Sequence, residues 1–156
     1  MTRSQNPDTK PHTGGIEAVS LERLYAVYQA LPEFERVEPL ESLRRRIGER
    51  YLAQVYCEAG NDLAFKLGYA IDDEQFYSWL GGVLPEARGR GVARALLRAQ
   101  EAWALQQGFR EMQVKSMNRF PGMLRLLISS GYQITGVTPH SDQRLNKIHF
   151  CKLLQN

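Results

Sequence analysis

The stretch VLPEARGRGVA, residues 83–93, lies between a run typical of a β-strand and a run with helical periodicity. A glycine-rich turn that enters a helix exposes successive backbone N–H groups at the positive end of the helix dipole. Gly89 and Gly91 let a ligand approach the backbone closely, and the small side chain of Ala93 leaves room beside the first helical turn. The stretch therefore predicts an anion-binding turn, with phosphate as the natural ligand.

The same stretch carries an unusual concentration of positive charge. Four arginines, Arg88, Arg90, Arg94 and Arg98, fall within or just after it. The whole chain has only a mild basic excess, with 20 Lys and Arg against 17 Asp and Glu and a net charge of +3. The location of the arginines is therefore more informative than the net charge.

Three interpretations of this turn can be weighed on the residues alone. A nucleoside-triphosphate loop requires G-x-x-x-x-G-K-[ST], which is absent. A dinucleotide-binding turn favours a third small residue where Arg94 stands and an acidic residue after the next strand, which instead ends in 114–116, VKS. An ordinary strand-to-helix turn with incidental arginines stays open.

The segments before the turn alternate as strands do. Tyr51–Cys57, Leu63–Ile71 and Gln75–Leu84 predict three strands joined by short turns, which is an antiparallel meander. Upstream of them, Ile16–Val19 predicts a short strand. Two helices are expected next, from an N-cap at Ser20 to about Ala30 and from about Pro39 to Ile47.

The segments after the turn alternate between helix and strand. A helix is expected over Val92–Gln107, a strand over Glu111–Ser116 and a further helix from about Pro121 to Gly131. Tyr132–Val137 and Lys147–Leu153 predict two last strands. Because a strand-helix-strand crossover forms a parallel pair, we expect a mixed, α/β (α+β) sheet with helices packed on it.

Length and composition indicate one folded domain. The chain has 156 residues, of which 43% are hydrophobic and 24% charged, as in an ordinary globular protein. No run approaches the ~20 apolar residues that cross a bilayer, and residues 1–15 are polar, so we expect a flexible tail and a cytoplasmic protein without a membrane segment.

The turn and its surroundings resemble the GNAT acetyltransferase superfamily. Residues 88–93, RGRGVA, fit the family signature R/Q-x-x-G-x-G/A, and 83–85, VLP, match the V-x-P that commonly precedes it. The resemblance extends from Ile16 to Leu153. It implies that residues 16–156 form one acetyltransferase domain of GNAT fold, with a mostly antiparallel sheet, one parallel pair of splayed strands and about four helices.

The resemblance also implies a site for acetyl-coenzyme A between the splayed strands. The backbone of Val83 would pair with the pantetheine arm, and the turn would hold the pyrophosphate. Asn118 resembles an asparagine that touches pantetheine in this family, although a helix cap explains it equally well. The expected coenzyme-binding residues are Val83, Arg88, Gly89, Arg90, Gly91, Val92, Ala93, Arg94 and Asn118.

The implied reaction is transfer of the acetyl group to a primary amine, of a small molecule or a peptide, by direct attack in a ternary complex. In many relatives a tyrosine four residues before a glycine acts as the general acid. In this chain the glycine is Gly131, and the position four residues before it is Leu127. Tyr132, Tyr77 or water stay open as substitutes. No catalytic residue is assigned, because a solvent-facing position explains each candidate base as well: Glu58, Asp62, Glu74 and Glu86.

Partners follow from the same resemblance. The acceptor pocket in the family is built by its variable first helices and last strands, where Glu33, Glu35, Glu38 and Glu41 either attract a cation or only face solvent. Homodimers formed through the sheet edge are common among relatives, so a homodimer is left open. Since aromatic residues fall mostly in strands rather than among the basic residues, we expect no nucleic-acid partner.

The two cysteines do not indicate a metal site. Cys57 and Cys151 lack the paired spacing of zinc ligands, so no metal is expected.

The missing tyrosine leaves a second function open. In this alternative, the chain is a GNAT-fold module that binds an acyl-coenzyme A as a sensor, or docks a partner, without turnover.

Overall fold

The computed structural model describes residues 14–34 and 36–155. The tail expected over residues 1–15 therefore lies outside the described residues up to residue 13, and Gly15 begins the first strand. Glu35, one of the acidic residues expected near an acceptor pocket, is also outside them.

Seven strands form one mixed sheet in the order β1-β2-β3-β4-β5-β7-β6. All neighbours are antiparallel except β4 and β5, which are parallel. This confirms the expected meander of β2, β3 and β4 and the single parallel pair. The strands are β1 (Gly15–Ala18), β2 (Tyr51–Glu58), β3 (Asn61–Ala70), β4 (Gln75–Val83), β5 (Glu111–Met117), β6 (Gln133–Thr138) and β7 (Lys147–Leu153).

Four α-helices pack on the two faces of the sheet. They are α1 (Leu21–Ala30), α2 (Leu40–Ile47), α3 (Val92–Gln106) and α4 (Pro121–Ser129). The expected cap of α1 is present, since Ser20 Oγ accepts a hydrogen bond from Arg23 N at 3.2 Å. No helix among the described residues is long and apolar enough to cross a membrane.

Each face of the sheet carries its own hydrophobic core. On one face, α1 and α2 bury residues such as Leu24 and Leu43 against Phe65 of β3. On the other, α3 and α4 bury residues such as Leu97 and Leu127 against β4 and β5. Burial on both faces fixes the sheet rigidly, so that its strand ends can position a site.

The parallel pair is short, and this creates a gap in the sheet. β4 and β5 pair only from Gln75 with Glu111 to Ser78 with Val114, although both strands continue beyond that point. Directly after the last pair, Trp79 is an extra residue on β4, because Leu67 and Gly68 of β3 face Leu80 and Ser78. Since a bulge bends its strand, it accounts for the separation of β4 from β5.

An aromatic cluster packs against the paired part of β4 and β5, and it predicts which substitution destabilises the fold. Phe76 is fully buried, with its ring 5.3 Å from that of Trp103 and 5.1 Å from that of Phe109. We expect Phe76→Ala to lower the free energy of unfolding by about 3–5 kcal/mol, measured by urea denaturation. The control Ile71→Ala, at a half-exposed side chain near the same strand end, should change it by about 0.5 kcal/mol or less. Equal effects of both would contradict this packing.

Candidate active site

A cavity of about 950 Å³ occupies the gap between the ends of β4 and β5. Ser78–Val83 and Val114–Met117 form its two strand walls. The first turns of α3 and α4 and the segment after α1 close the remaining sides, through residues that include Ala93, Met123 and Phe34. The N-terminus of α3, where the sequence predicts an anion-binding turn, therefore borders the cavity.

The turn from β4 to α3 presents free backbone donors at the edge of this cavity. Gly89 and Gly91 both lie in the left-handed region, with φ of 76° and 77°, and a Cβ at either would meet open space. Gly91 is the N-cap of α3 and has no side chain to cap the helix. Arg88 N already donates to Pro85 O at 3.3 Å, and the first bond inside α3 joins Ala95 N to Gly91 O at 3.0 Å. The amides between them, from Gly89 to Arg94, are therefore available to a ligand.

Arg88 points from the turn into the cavity. Its Nε donates to Val83 O at 2.9 Å, and its Nη2 lies 2.7 Å from Glu33 Oε1. Leu84 N donates to Leu63 O of the neighbouring segment at 2.8 Å. Because backbone groups alternate between the two edges of a strand, Val83 presents its N–H and C=O to the gap. Arg88 therefore links the free edge of β4 to the segment after α1.

Arg90 and Arg94 point away from the cavity. Arg90 Nη2 lies 3.0 Å from Glu58 Oε2 at the end of β2. Arg94 donates to the hydroxyls of Ser129 at 3.1 Å and Ser130 at 3.4 Å, at the end of α4. Each of these two guanidinium groups thus has a protein partner outside the cavity.

Comparison with known proteins decides the family. The sequence profile described as the acetyltransferase (GNAT) family matches residues 18–127. The chain belongs to this family. The GNAT fold expected from the signature is therefore confirmed, with its mostly antiparallel sheet, one splayed parallel pair and four helices.

Solved structures of GNAT fold cover most of the chain at low identity. Ard1 from Thermoplasma volcanium is 21% identical, with a TM-score of 0.78, over 92% of this chain and 99% of that chain. The ribosomal-protein-S18-alanine N-acetyltransferase from Escherichia coli is 18% identical, with a TM-score of 0.78, over 92% and 96%. A GNAT family acetyltransferase from Elizabethkingia anophelis with acetyl-CoA bound is 13% identical, with a TM-score of 0.73, over 92% and 99%. No curated protein matches the sequence.

Asn118 of this GNAT chain ties a loop to the end of β5. Its Nδ2 donates to Gln143 O, in the connection between β6 and β7, at 3.0 Å. The N-cap of α4 is Phe120, so Asn118 does not cap that helix. Its neighbours Met117 and Arg119 line the cavity, whereas Asn118 itself does not.

Two tyrosines left open as acids lie elsewhere. Leu127, at the position of the usual tyrosine, is fully buried in the core under α3 and α4. Tyr132 donates to Glu101 Oε2 at 2.7 Å, and burial raises the pKa of its hydroxyl. Tyr77 packs edge-on against Tyr69, and burial raises its pKa as well. Neither hydroxyl lines the cavity.

The carboxylate that lines the cavity belongs to the acidic residues named for the acceptor pocket, not to the candidate bases. The four candidate bases, Glu58, Asp62, Glu74 and Glu86, are absent from its wall. Among the residues that the structure describes, Glu33 is the one acidic residue lining it, and its Oε2 lies 3.4 Å from where a Cβ on Gly82 would stand. Its contact with Arg88 spans 55 residues of sequence, so no local pattern indicates it.

The bulge at Trp79 changes which side chains share a face of β4. Strict alternation along β4 predicts that Tyr77, Trp79 and Val83 face the same way. This holds for Tyr77 and Trp79, which both pack edge-on against Tyr69, and is wrong for Val83. Tyr77 lies opposite Tyr69 on the face of α2, whereas Val83 lies opposite Ala64 and packs toward α3. Trp79 lines the cavity, with the guanidinium of Arg46 4.0 Å from its ring centroid.

Lys66 of β3 is a buried lysine that reaches the cavity. It is 5% exposed and faces Gly81 across the β3–β4 pair. A Cβ built on Gly81 would lie 3.6 Å from both Cγ and Nζ of Lys66, so the absent side chain leaves room for the lysine. Burial lowers the pKa of Lys66 to about 8, and the negative charge of Glu101 opposes that shift. Within the described residues, no carboxylate forms an ion pair with its Nζ.

Polar side chains without partners surround Lys66 on the same face of the sheet. Gln54 lies directly opposite Lys66 on β2, and Ser78 lies opposite Gly68. Gln100 of α3 packs over Gly68, since its Nε2 would lie 2.7 Å from a Cβ there. Gln54 Oε1, Ser78 Oγ and both amide atoms of Gln100 are buried and accept or donate no hydrogen bond. None of these positions is distinguishable as a site in the sequence.

The buried ammonium of Lys66 predicts a pH-dependent stability. Its folded pKa is lowered to about 8 from 10.5, so the unfolded chain binds more protons between these values and stability rises with pH across them. At pH 7 the free energy of unfolding of Lys66→Met should exceed that of the wild type by about 2–3 kcal/mol. This pH-dependent difference should vanish by about pH 10.5. Denaturation at several pH values measures it. Lys115→Met, at an exposed lysine, is the control, and a pH-independent difference for Lys66→Met would contradict the buried charge.

Proposed function

We propose that this chain transfers an acetyl group from acetyl-coenzyme A to a primary amine, with both substrates bound in the cavity between β4 and β5. The observation that carries the proposal is the gap itself. Two parallel strands separate after Ser78 and Val114, and a turn with free backbone amides borders the opening. The proposal covers a small-molecule amine or a peptide amine, in one ternary complex.

The residues present fit the coenzyme. Pyrophosphate suits the amides of Gly89–Ala93 and the positive end of α3, because these donors have no backbone or side-chain acceptor among the described residues and favour an anion. The pantetheine amides suit the free edge of β4 at Val83, where they would add to the sheet as an extra strand does. Neighbouring GNAT structures, including one from Elizabethkingia anophelis, are described with acetyl-CoA bound. A volume of about 950 Å³ accommodates a thioester and an acceptor together.

The bound coenzyme would supply an activated acetyl group, and the chain would supply position and charge. A backbone N–H on the unpaired edge of β4 near Val83 would stabilise negative charge on the acetyl oxygen. Arg88 donates hydrogen bonds to the carbonyl of Val83 and the carboxylate of Glu33. It would therefore hold β4 in a fixed position relative to the acceptor side of the cavity.

Glu33 gives the acceptor side its negative charge. An amine with pKa near ~10.4 arrives mostly as the ammonium ion, which a carboxylate attracts and from which a proton must leave before attack. Glu33 faces the cavity with a side chain that is 29% exposed, so water can carry the proton away from it. In this proposal, Glu33 binds the incoming ammonium and passes its proton to solvent.

Protonation of the leaving thiolate would fall to water. Leu127 is buried, and the hydroxyls of Tyr132 and Tyr77 lie outside the cavity wall. The conjugate thiol has a pKa of about 8.5, so the thiolate is a tolerable leaving group near neutral pH. The absence of a general acid at the usual tyrosine position would therefore slow transfer rather than prevent it.

A second function is favoured by the buried Leu127. Without an acid, the chain could bind an acyl-coenzyme A as a sensor and never turn it over. Release of free thiol from acetyl-coenzyme A in the presence of a panel of primary amines separates the two. Amine-dependent release excludes the sensor, whereas tight binding with no release by any amine excludes the transferase.

The binding claim is tested at Gly91. Gly91→Glu places bulk and negative charge where the pyrophosphate is proposed to bind, and we expect calorimetry to show about hundredfold weaker acetyl-coenzyme A binding or none, a loss of about 3 kcal/mol. Gly108→Glu is a matched control at the other end of α3, because Gly108 also has positive φ, at 97°, and open space at its Cβ. Wild-type affinity in Gly91→Glu, or equal losses in both variants, would contradict the proposed site.

A further inference from the structure

We propose that Lys66 is itself an acetyl acceptor, so that the chain acetylates this lysine from the coenzyme bound in its own cavity. The inference rests on the proposed function, since it requires acetyl-coenzyme A in the gap between β4 and β5. It adds a modification site on β3, two strands away from β5.

The path from Lys66 to the gap crosses a strand that has no side chain in the way. Lys66 stands opposite Gly81 of β4, and its Nζ lies 3.6 Å from the place that a Cβ of Gly81 would take. Both residues line the cavity. Any larger residue at position 81 would come into contact with the lysine, so glycine there lets the side chain extend over β4 toward the free edge.

The second lysine on the cavity wall, Lys115, lies on the opposite strand and differs from Lys66 in each respect. Its Nζ lies 5.5 Å from the ring centroid of Tyr77, and the residue is exposed. An exposed lysine keeps its ammonium hydrated, and a hydrated ammonium has no lone pair for attack. Lys115 therefore serves as an internal comparison.

The surroundings of Lys66 favour the neutral amine. The negative charge that acts on Lys66 is that of Glu101 of α3, whose carboxylate already binds Lys152 at 3.0 Å and Tyr132 at 2.7 Å. With its pKa lowered to about 8, about half of Lys66 is neutral at pH 8, roughly a hundredfold more than for a lysine of pKa ~10.4.

The transfer balances without any further reactant. The lone pair of neutral Nζ forms a bond to the acetyl carbon, the carbon–sulfur bond breaks, and coenzyme A leaves as the thiolate. The attacking nitrogen loses one proton to solvent, and the thiolate takes one from solvent. The products are a neutral amide on Lys66 and free coenzyme A.

The structure offers hydrogen-bond partners to that amide. Gln54 Oε1 and Gln100 Oε1 are unpartnered acceptors, and Gln100 Nε2 and Ser78 Oγ are unpartnered donors, all buried on the face that carries Lys66. An amide presents one N–H and one C=O, so it can use one group of each kind. Acetylation also removes a buried positive charge, which stabilises the folded chain for the reason given for Lys66→Met.

The test is to incubate the full chain with acetyl-coenzyme A at pH 8, with no added amine, and to map acetylated peptides by mass spectrometry. We expect one acetyl group on Lys66 and loss of that mark in Lys66→Arg, with Lys115→Arg unchanged. The rate should rise with pH up to about 8 and then level, while acetylation of an exposed lysine continues to rise toward pH ~10.4. Gly91→Glu should lose the mark, which excludes transfer from free coenzyme in solution.

Calorimetry on the same sample separates this inference from the proposed function. A wild-type chain that binds acetyl-coenzyme A but carries no acetyl on Lys66 overturns the inference alone. A chain that does not bind the coenzyme overturns both. Acetylation of Lys66 that persists in Gly91→Glu, or in the heat-unfolded chain, also overturns it, because the transfer would then not depend on the cavity. The wild-type peptide map decides the matter even if Lys66→Arg fails to fold.

Discussion

The separation of β4 from β5 is the constraint on which the rest of the site depends. Four residue pairs, from Gln75 with Glu111 to Ser78 with Val114, hold the parallel strands together, and the extra residue Trp79 then bends β4 away. The hydrophobic cores on both faces hold the two strands in place, so the gap stays open instead of closing into a continuous sheet. The cavity, its unpaired strand edge and the position of the turn all follow from this geometry.

Much of the fold was predictable because its signals are local. The turn over residues 83–93, the N-cap at Ser20 and the periodicity of α3 each involve neighbouring residues, and the structure places the corresponding elements within about two residues of their expected ends. The parallel pair followed from one strand-helix-strand crossover. Membership of the family was predicted from the signature in residues 88–93 together with the order of strands and helices around it, and the match over residues 18–127 confirms it.

The residues that fill the site were less predictable because their contacts are remote in sequence. Arg88 meets Glu33 across 55 residues, and Arg90 meets Glu58 across 32, so charge clustering around the turn gave no account of their partners. The bulge at Trp79 shifts the alternation along β4, so the face of Val83 does not follow from counting residues from Tyr77. Nothing in the sequence distinguishes Lys66 from other lysines in strands, and its place on the cavity wall depends on its pairing with Gly81.

A crystal structure of the chain grown with acetyl-coenzyme A tests the central claim most directly. The account predicts pyrophosphate oxygens within hydrogen-bond distance of amides in Arg88–Ala93, pantetheine paired with the free edge of β4 at Val83, and the thioester in the gap that opens beyond the pair of Ser78 with Val114. Coenzyme density at another surface, with the gap between β4 and β5 empty or closed, would contradict it.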